Sequence, residues 1–204
     1  PSHAASVEHP LFHPGAIGWA ASILGFHLVA DGADSRWIER GRLHGQAVFE
    51  GEWWRLATAT FLHADWGHLA ANMTTGLILF GLAMARFGVG LALGVALIAG
   101  VTGNVAGLFV HDPSYYGLGA SGAVLGILGF LAAGSFVRPD PPARSFSSAA
   151  AGFLLFILLG SNPSSDVVAH FGGFAGGFVA GGLILRYGPL RPPQPSEDLL
   201  RIGV

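Results

Sequence analysis

The chain has 204 residues, 51% of them hydrophobic and 11% charged, and a net charge of −2 at pH 7. A mean hydropathy of +0.56 is too high for an ordinary water-soluble domain and makes a bilayer the natural solvent. No cysteine is present, which excludes disulfides and thiolate metal sites, and the ten basic residues, all Arg, are too scattered to form a nucleic-acid surface or a polybasic lipid patch.

The chain begins at Pro1 rather than Met, which leaves room for an upstream segment. No basic region precedes the first apolar stretch, so that stretch does not read as a cleavable signal peptide. Residues 1–10 are expected to be a cytoplasmic extension, residues 11–187 a single membrane domain, and residues 188–204 a solvated tail with its Pro192-Pro193-Gln194-Pro195 run.

A helix needs about 20 apolar residues to cross the hydrocarbon core, so gaps between charged residues mark candidate spans. Six gaps qualify: Leu11 to Ala30, Gly67 to Ala85, Phe87 to Val110, Leu118 to Val137, Phe146 to Gly160 and Val167 to Leu185. The first contains Pro14 and His27; the fifth is short unless Ser145 and Ser161 lie in the interface. The predicted fold class is therefore all-α, a polytopic bundle of six transmembrane helices. Thirty-two glycines in so apolar a chain point to close helix packing.

Arg86 follows the second span, Arg138 and Arg144 the fourth, and Arg186, Arg191 and Arg201 the sixth, which puts both termini in the cytoplasm. The segment from Asp31 to Trp66 would lie outside although it carries Arg36, Arg40, Arg42 and Arg55. It also holds Trp37, Trp53, Trp54 and Trp66 and six acidic residues, which favours a folded segment lying in the interface.

Polar side chains inside a span are costly and need a partner or a function. His68 and Asn72 are four residues apart, on one face of the second helix. Ser121 starts the fourth span within Gly119-Ala120-Ser121-Gly122, and His170 lies one turn into the sixth. Each of these sites follows an odd-numbered connection, so all enter the membrane from the same face. His68 lies roughly 5 Å beyond Asp65 and His170 roughly 6 Å beyond Asp166, so the depths match. His170, Gly173, Gly177 and Gly181 form one stripe and Gly122, Gly126 and Gly129 another, and such stripes let two helices touch along their backbones.

Amide hydrolysis needs an activated nucleophile, a base that later acts as an acid, and donors for the oxyanion. Ser121 supplies the first and His170 the second. His68, Asn72 and the backbone N–H of Ser121 supply the third, helped by the free N–H groups of a helix start. No buried carboxylate is required. Ser164-Ser165-Asp166 reads as an N-cap for the sixth helix rather than a third triad member. His63 and Arg55 read as structural, holding the tryptophan-rich loop in the interface. His27 and His111 receive no role.

These residues resemble the rhomboid proteases from Trp54 to Gly181. Trp54-Arg55 is similar to that family's loop motif, and His68 with Asn72 to its helix-two pair. Gly119-Ala120-Ser121-Gly122 is similar to the nucleophile motif, and Ala169-His170 with the following glycines to the base motif. The resemblance implies a six-helix bundle with a water-filled cavity opening outward, and a fourth helix that starts below the surface. It also implies lateral entry of transmembrane protein substrates cut near small, helix-weakening residues, with no metal or nucleotide cofactor. No seventh candidate span is read in the sequence, which is similar to the basic bacterial form of the family. The implied location is a bacterial inner membrane, with the active site opening to the extracytoplasmic side. Met84 stands ahead of Arg86 where many relatives have an acidic residue, and Leu125 stands where an aromatic residue is common.

Two other readings stay open. One is a catalytically inactive rhomboid-like protein that binds membrane helices. The other is a transporter or metal-dependent hydrolase using His63, His68 and His170, although His-Glu-x-x-His is absent. Substrate and oligomeric state are not readable from the residues.

Overall fold

A computed structural model describes residues 13–32, 36–137, 152, 154–157 and 166–188. The expected extension at 1–10, most of the fifth expected span and the tail beyond Gly188 lie outside the described residues. Helix α1 covers Pro14–Gly32, with Pro14 at the first helical position, where its missing N–H is not needed. A folded connection follows, made of α2 (Arg36–Gly41), β1 (Leu43–His44), α3 (Gly45–Phe49), α4 (Arg55–Thr58) and a 3-10 turn at Ala59–Phe61. Next come α5 (Trp66–Phe87), α6 (Val89–Val110), β2 (Tyr116–Gly117), α7 (Ser121–Val137) and α8 (Val167–Tyr187). Gly152 and residues 154–157 are also helical, and Phe156 packs on Phe174 of α8 at 4.9 Å between ring centroids.

Three of these helices, α5, α6 and α8, are long and apolar enough to cross a membrane, whereas α7 and the apolar part of α1, Pro14–Ala30, are shorter. Several boundaries differ from those expected, and two of the differences have a local backbone cause. Phe87 ends α5 instead of opening the next span, because Gly88, at φ 90°, turns the chain in a conformation that suits only glycine. The fourth span begins at Ser121 rather than Leu118, because Tyr116–Gly117 is extended in β2 and Gly119 sits at φ 131°. With 17 residues, α7 is about 25 Å long, short of the roughly 30 Å hydrocarbon core.

Helix α7 is the centre of the fold. Every residue from Gly122 to Phe130 is buried, as are 132–135, against α5, α6 and α8. The core around it contains Phe80, Met84, Phe87, Val95, Ile127 and Phe130. Trp19 of α1 stacks on Phe80 at 4.2 Å, over the face of α5 where Gly76 leaves room for the indole. Glycine decides the spacing of α7 and α8: a Cβ on Gly173 would overlap the carbonyl oxygen of Gly122, and one on Gly177 that of Gly126. Large apolar residues such as Leu82, Leu97, Ile98, Val179 and Leu183 stay exposed on the outer faces, as expected of surfaces that meet lipid. Trp37, Trp53, Trp54 and Trp66 are each more than half exposed, a placement suited to rings at headgroup level.

One element was not foreseen. The first connection pairs with the loop before α7 in an antiparallel ladder, Leu43 opposite Gly117 and His44 opposite Tyr116. The two strands hold two residues each, too few for alternation to show in the sequence.

Candidate active site

A cavity of about 790 Å³ opens at one end of the bundle, and Ser121, His170 and His68 all line it. Ser121 is the first residue of α7, so its N–H has no intrahelical acceptor. The loop that delivers it is held at three points. The β1–β2 ladder fixes Tyr116 and Gly117, and the Gly119 N–H donates to the Ala59 carbonyl at 2.9 Å. Gly119 itself lies against the His68 imidazole, where a Cβ would come within 2.6 Å of Cε1 and 2.8 Å of Nε2. A side chain at position 119 would thus push His68 away from the start of α7.

His170 is buried in the first turns of α8. Its helix meets α7 at the Gly122–Gly173 contact, and a Cβ on Gly122 would lie 3.6 Å from the carbonyl of Ala169. Helix α6 closes in from the other side, where Gly103 leaves 2.5 Å between a hypothetical Cβ and the Ala169 oxygen. Helices α7 and α8 are therefore in backbone contact beside Ser121 and His170. Asp166 caps α8, its Oδ1 accepting the N–H groups of Val168 and Ala169 at 3.0 Å each. It does more than cap. His111 Nε2 lies 3.1 Å from Oδ1, and the Tyr115 hydroxyl donates to Oδ2.

Electrostatics at this junction are consistent with an ionised carboxylate. Burial pushes the Asp166 pKa up, but donation from Tyr115, from the Ala169 N–H and from His111 outweighs burial and holds it below the usual carboxylate range. Burial, reinforced by Asp166, pushes the Tyr115 hydroxyl well above its ordinary value and keeps it a donor. Asp65 caps α5 by accepting the N–H of His68 at 2.8 Å, and that bond chiefly keeps its carboxyl below the usual range.

The remaining expected site residues are distributed as follows. Asn72 is buried one turn beyond His68 and is not among the cavity-lining residues; its amide nitrogen donates to the His68 carbonyl at 3.0 Å. His63 lies behind His68 with ring centroids 5.2 Å apart, and 6.4 Å from His27 of α1. Burial, then the His68 and His27 imidazoles, lower the His63 pKa to about 4, so it is neutral at pH 7. Although these three imidazoles form a row, no group of three or more His, Asp or Glu has metal-holding geometry among the described residues. Arg55 is buried and donates to the carbonyls of Glu39 at 2.6 Å and Arg42 at 2.8 Å while pairing with Glu52. Trp54 Nε1 donates to the Arg40 carbonyl at 3.3 Å. Both side chains hold the first connection together, away from the cavity.

Three lining residues were missed in the sequence. Asn104 of α6 donates to the Leu56 carbonyl at 2.8 Å, tying the folded connection to the bundle. A polar residue deep in an apolar span is the same signal that drew attention to Asn72, so Asn104 was legible by that rule. His111 and Tyr115 carried no such signal, because their partner Asp166 is about fifty residues away in the chain.

The sequence profile of the Rhomboid domain matches residues 50–187. Among curated relatives, the chain is 36% identical over 146 residues to the rhomboid protease GluP of Bacillus subtilis (strain 168), covering 69% of this chain and 28% of that protein. It is 33% identical over 147 residues to YdcA of the same bacterium, whose name also carries the word rhomboid, covering 70% and 73%. To RHOMBOID-like protein 5 of Arabidopsis thaliana it is 31% identical over 169 residues, covering 78% and 54%. The chain thus spans under a third of GluP and about half of the Arabidopsis protein. The profile covers well over half of the chain and contains the motifs around Arg55, His68, Ser121 and His170. The chain is an integral membrane protein and belongs to the rhomboid family.

Proposed function

We propose that this protein is an intramembrane serine endopeptidase that cuts transmembrane segments of other proteins through a Ser121/His170 dyad. One observation carries the reading: Ser121 and His170 stand on helices whose backbones touch at Gly122 and Gly173, and both line one cavity at the same end of the bundle. Ser121 Oγ attacks the scissile carbonyl while His170 takes its proton. The C–N bond then breaks, the proton passes from His170 to the leaving amine, and an acyl group remains on Ser121. Water, deprotonated by His170, releases the acid and restores the serine. His68 and the Ser121 N–H serve the oxyanion, with the α7 N-terminus adding its dipole, while Asn72, outside the cavity lining, supports His68 through its hydrogen bond to the His68 carbonyl. No metal or cofactor takes part. The six-span arrangement belongs to the same proposal, with the fifth span falling between α7 and α8 in chain order, as does placement in a bacterial inner membrane with the cavity facing the extracytoplasmic side.

The test is reconstitution in liposomes with a panel of single-span substrates, alongside labelling by a fluorophosphonate. Wild type is expected to cleave and to label, and Ser121→Ala and His170→Ala to lose both by at least about a thousandfold. Cleavage surviving both substitutions overturns the mechanism. A folded wild type that neither labels nor cleaves supports instead an inactive helix-binding relative.

A further inference from the structure

The Asp166 carboxylate joins three chain segments. On α8 it holds the N–H groups of Val168 and Ala169, and its own carbonyl accepts the N–H of His170 at 3.0 Å. At the end of α6 it meets His111, which caps that helix. In the loop before Ser121 it accepts the hydroxyl of Tyr115, whose ring stacks on His111 at 4.3 Å. Tyr115 is itself braced from behind, because its carbonyl accepts the N–H of Gly45 at 3.1 Å and the next residue, Tyr116, belongs to β2. All three side chains line the cavity shared by Ser121 and His170. An N-cap needs only one acceptor atom for the helix N–H groups. Here Oδ1 serves them, and Oδ2 is committed to a different segment of the chain.

We propose that Asp166 is a positioning residue, which fixes the His170 imidazole relative to Ser121 by tying the start of α8 to the end of α6 through His111 and to the nucleophile's loop through Tyr115. This rests on the dyad reading above. Capping alone would stabilise α8 wherever it stood. The bond to Tyr115 ties α8 to the segment that ends in Ser121, so the separation of base and nucleophile depends on it. A misplacement of about 1 Å in such a pair costs on the order of a hundredfold in rate.

Two substitutions in the full chain separate capping from positioning. Asp166→Ser keeps a good N-cap but reaches neither Tyr115 nor His111, and Tyr115→Phe removes one hydroxyl while leaving the cap intact. Both are expected to lower kcat in liposomes by about tenfold to a hundredfold with KM nearly unchanged. Thermal stability should stay close to wild type for Tyr115→Phe. Wild-type kcat in both variants overturns the proposal. Amide hydrogen exchange supplies a readout independent of turnover: in Tyr115→Phe, exchange over 112–119 and over 167–171 should accelerate together. Acceleration confined to one segment, or none in either, overturns the junction. If wild type neither labels nor cleaves, the dyad reading fails and the catalytic consequence fails with it, and exchange alone then decides whether the three segments are tied.

Discussion

Gly119 and His63 show how single residues constrain the site. Gly119 combines a φ of 131° with a position 2.6 Å short of the His68 ring for any Cβ, so Gly119→Ala meets both backbone strain and overlap. It is expected to lower fluorophosphonate labelling of Ser121 by at least about tenfold while the variant still inserts and folds; unaltered labelling would show that the His68 contact is dispensable. His63 makes a pH prediction. Its folded pKa of about 4 lies below the ordinary 6.5, so between those values the unfolded chain binds the additional proton. The stabilisation is complete above about pH 6.5 and declines as pH falls toward 4. Thermal melts across that window should show a slope that His63→Leu flattens, and an equal slope in both proteins would refute the assignment.

At the scale of elements, the contact between α7 and α8 depends on glycine because two backbones occupy the space that side chains would fill. A Cβ at Gly177 would overlap the Gly126 carbonyl, whereas one at Gly94, on the outer face of α6, meets nothing within 4 Å. Gly177→Val should therefore destabilise the bundle by about 1–3 kcal/mol or more, and Gly94→Ala should be near neutral or slightly stabilising. Thermal denaturation in detergent compares them directly; equal melting temperatures would mean that α8 can move outward without cost. The same close approach puts His170 beside the start of α7. The stripes Gly122-Gly126-Gly129 and His170-Gly173-Gly177-Gly181 made this interface legible in the sequence, because small residues at helical spacing have few other uses in an apolar chain. The β1–β2 ladder was not legible, since two-residue strands carry no periodicity and form only when two distant loops meet.

For the molecule as a whole, the absence of cysteine makes orientation directly testable. In the proposed topology, which the arginine distribution favours, the cavity end faces outside and the end bearing Arg86 and Arg186 inside. In sealed cells, Ser114→Cys should react with a membrane-impermeant maleimide, and Tyr187→Cys only after permeabilisation. The reverse pattern would invert the proposed topology. Hydropathy alone determined that this chain lives in a bilayer and where α5, α6 and α8 run, because burying backbone in lipid demands long apolar helices. The cost of polar groups in a span, together with their shared depth and side of the membrane, singled out Ser121, His170, His68 and Asn72. Only the tertiary structure decided that Asp166 serves Tyr115 and His111 as well as α8, that Asn104 ties in the first connection, and that Gly119 lies against His68. Those contacts join residues far apart in the chain, and nothing local to either partner specifies the other; packing of the whole bundle does.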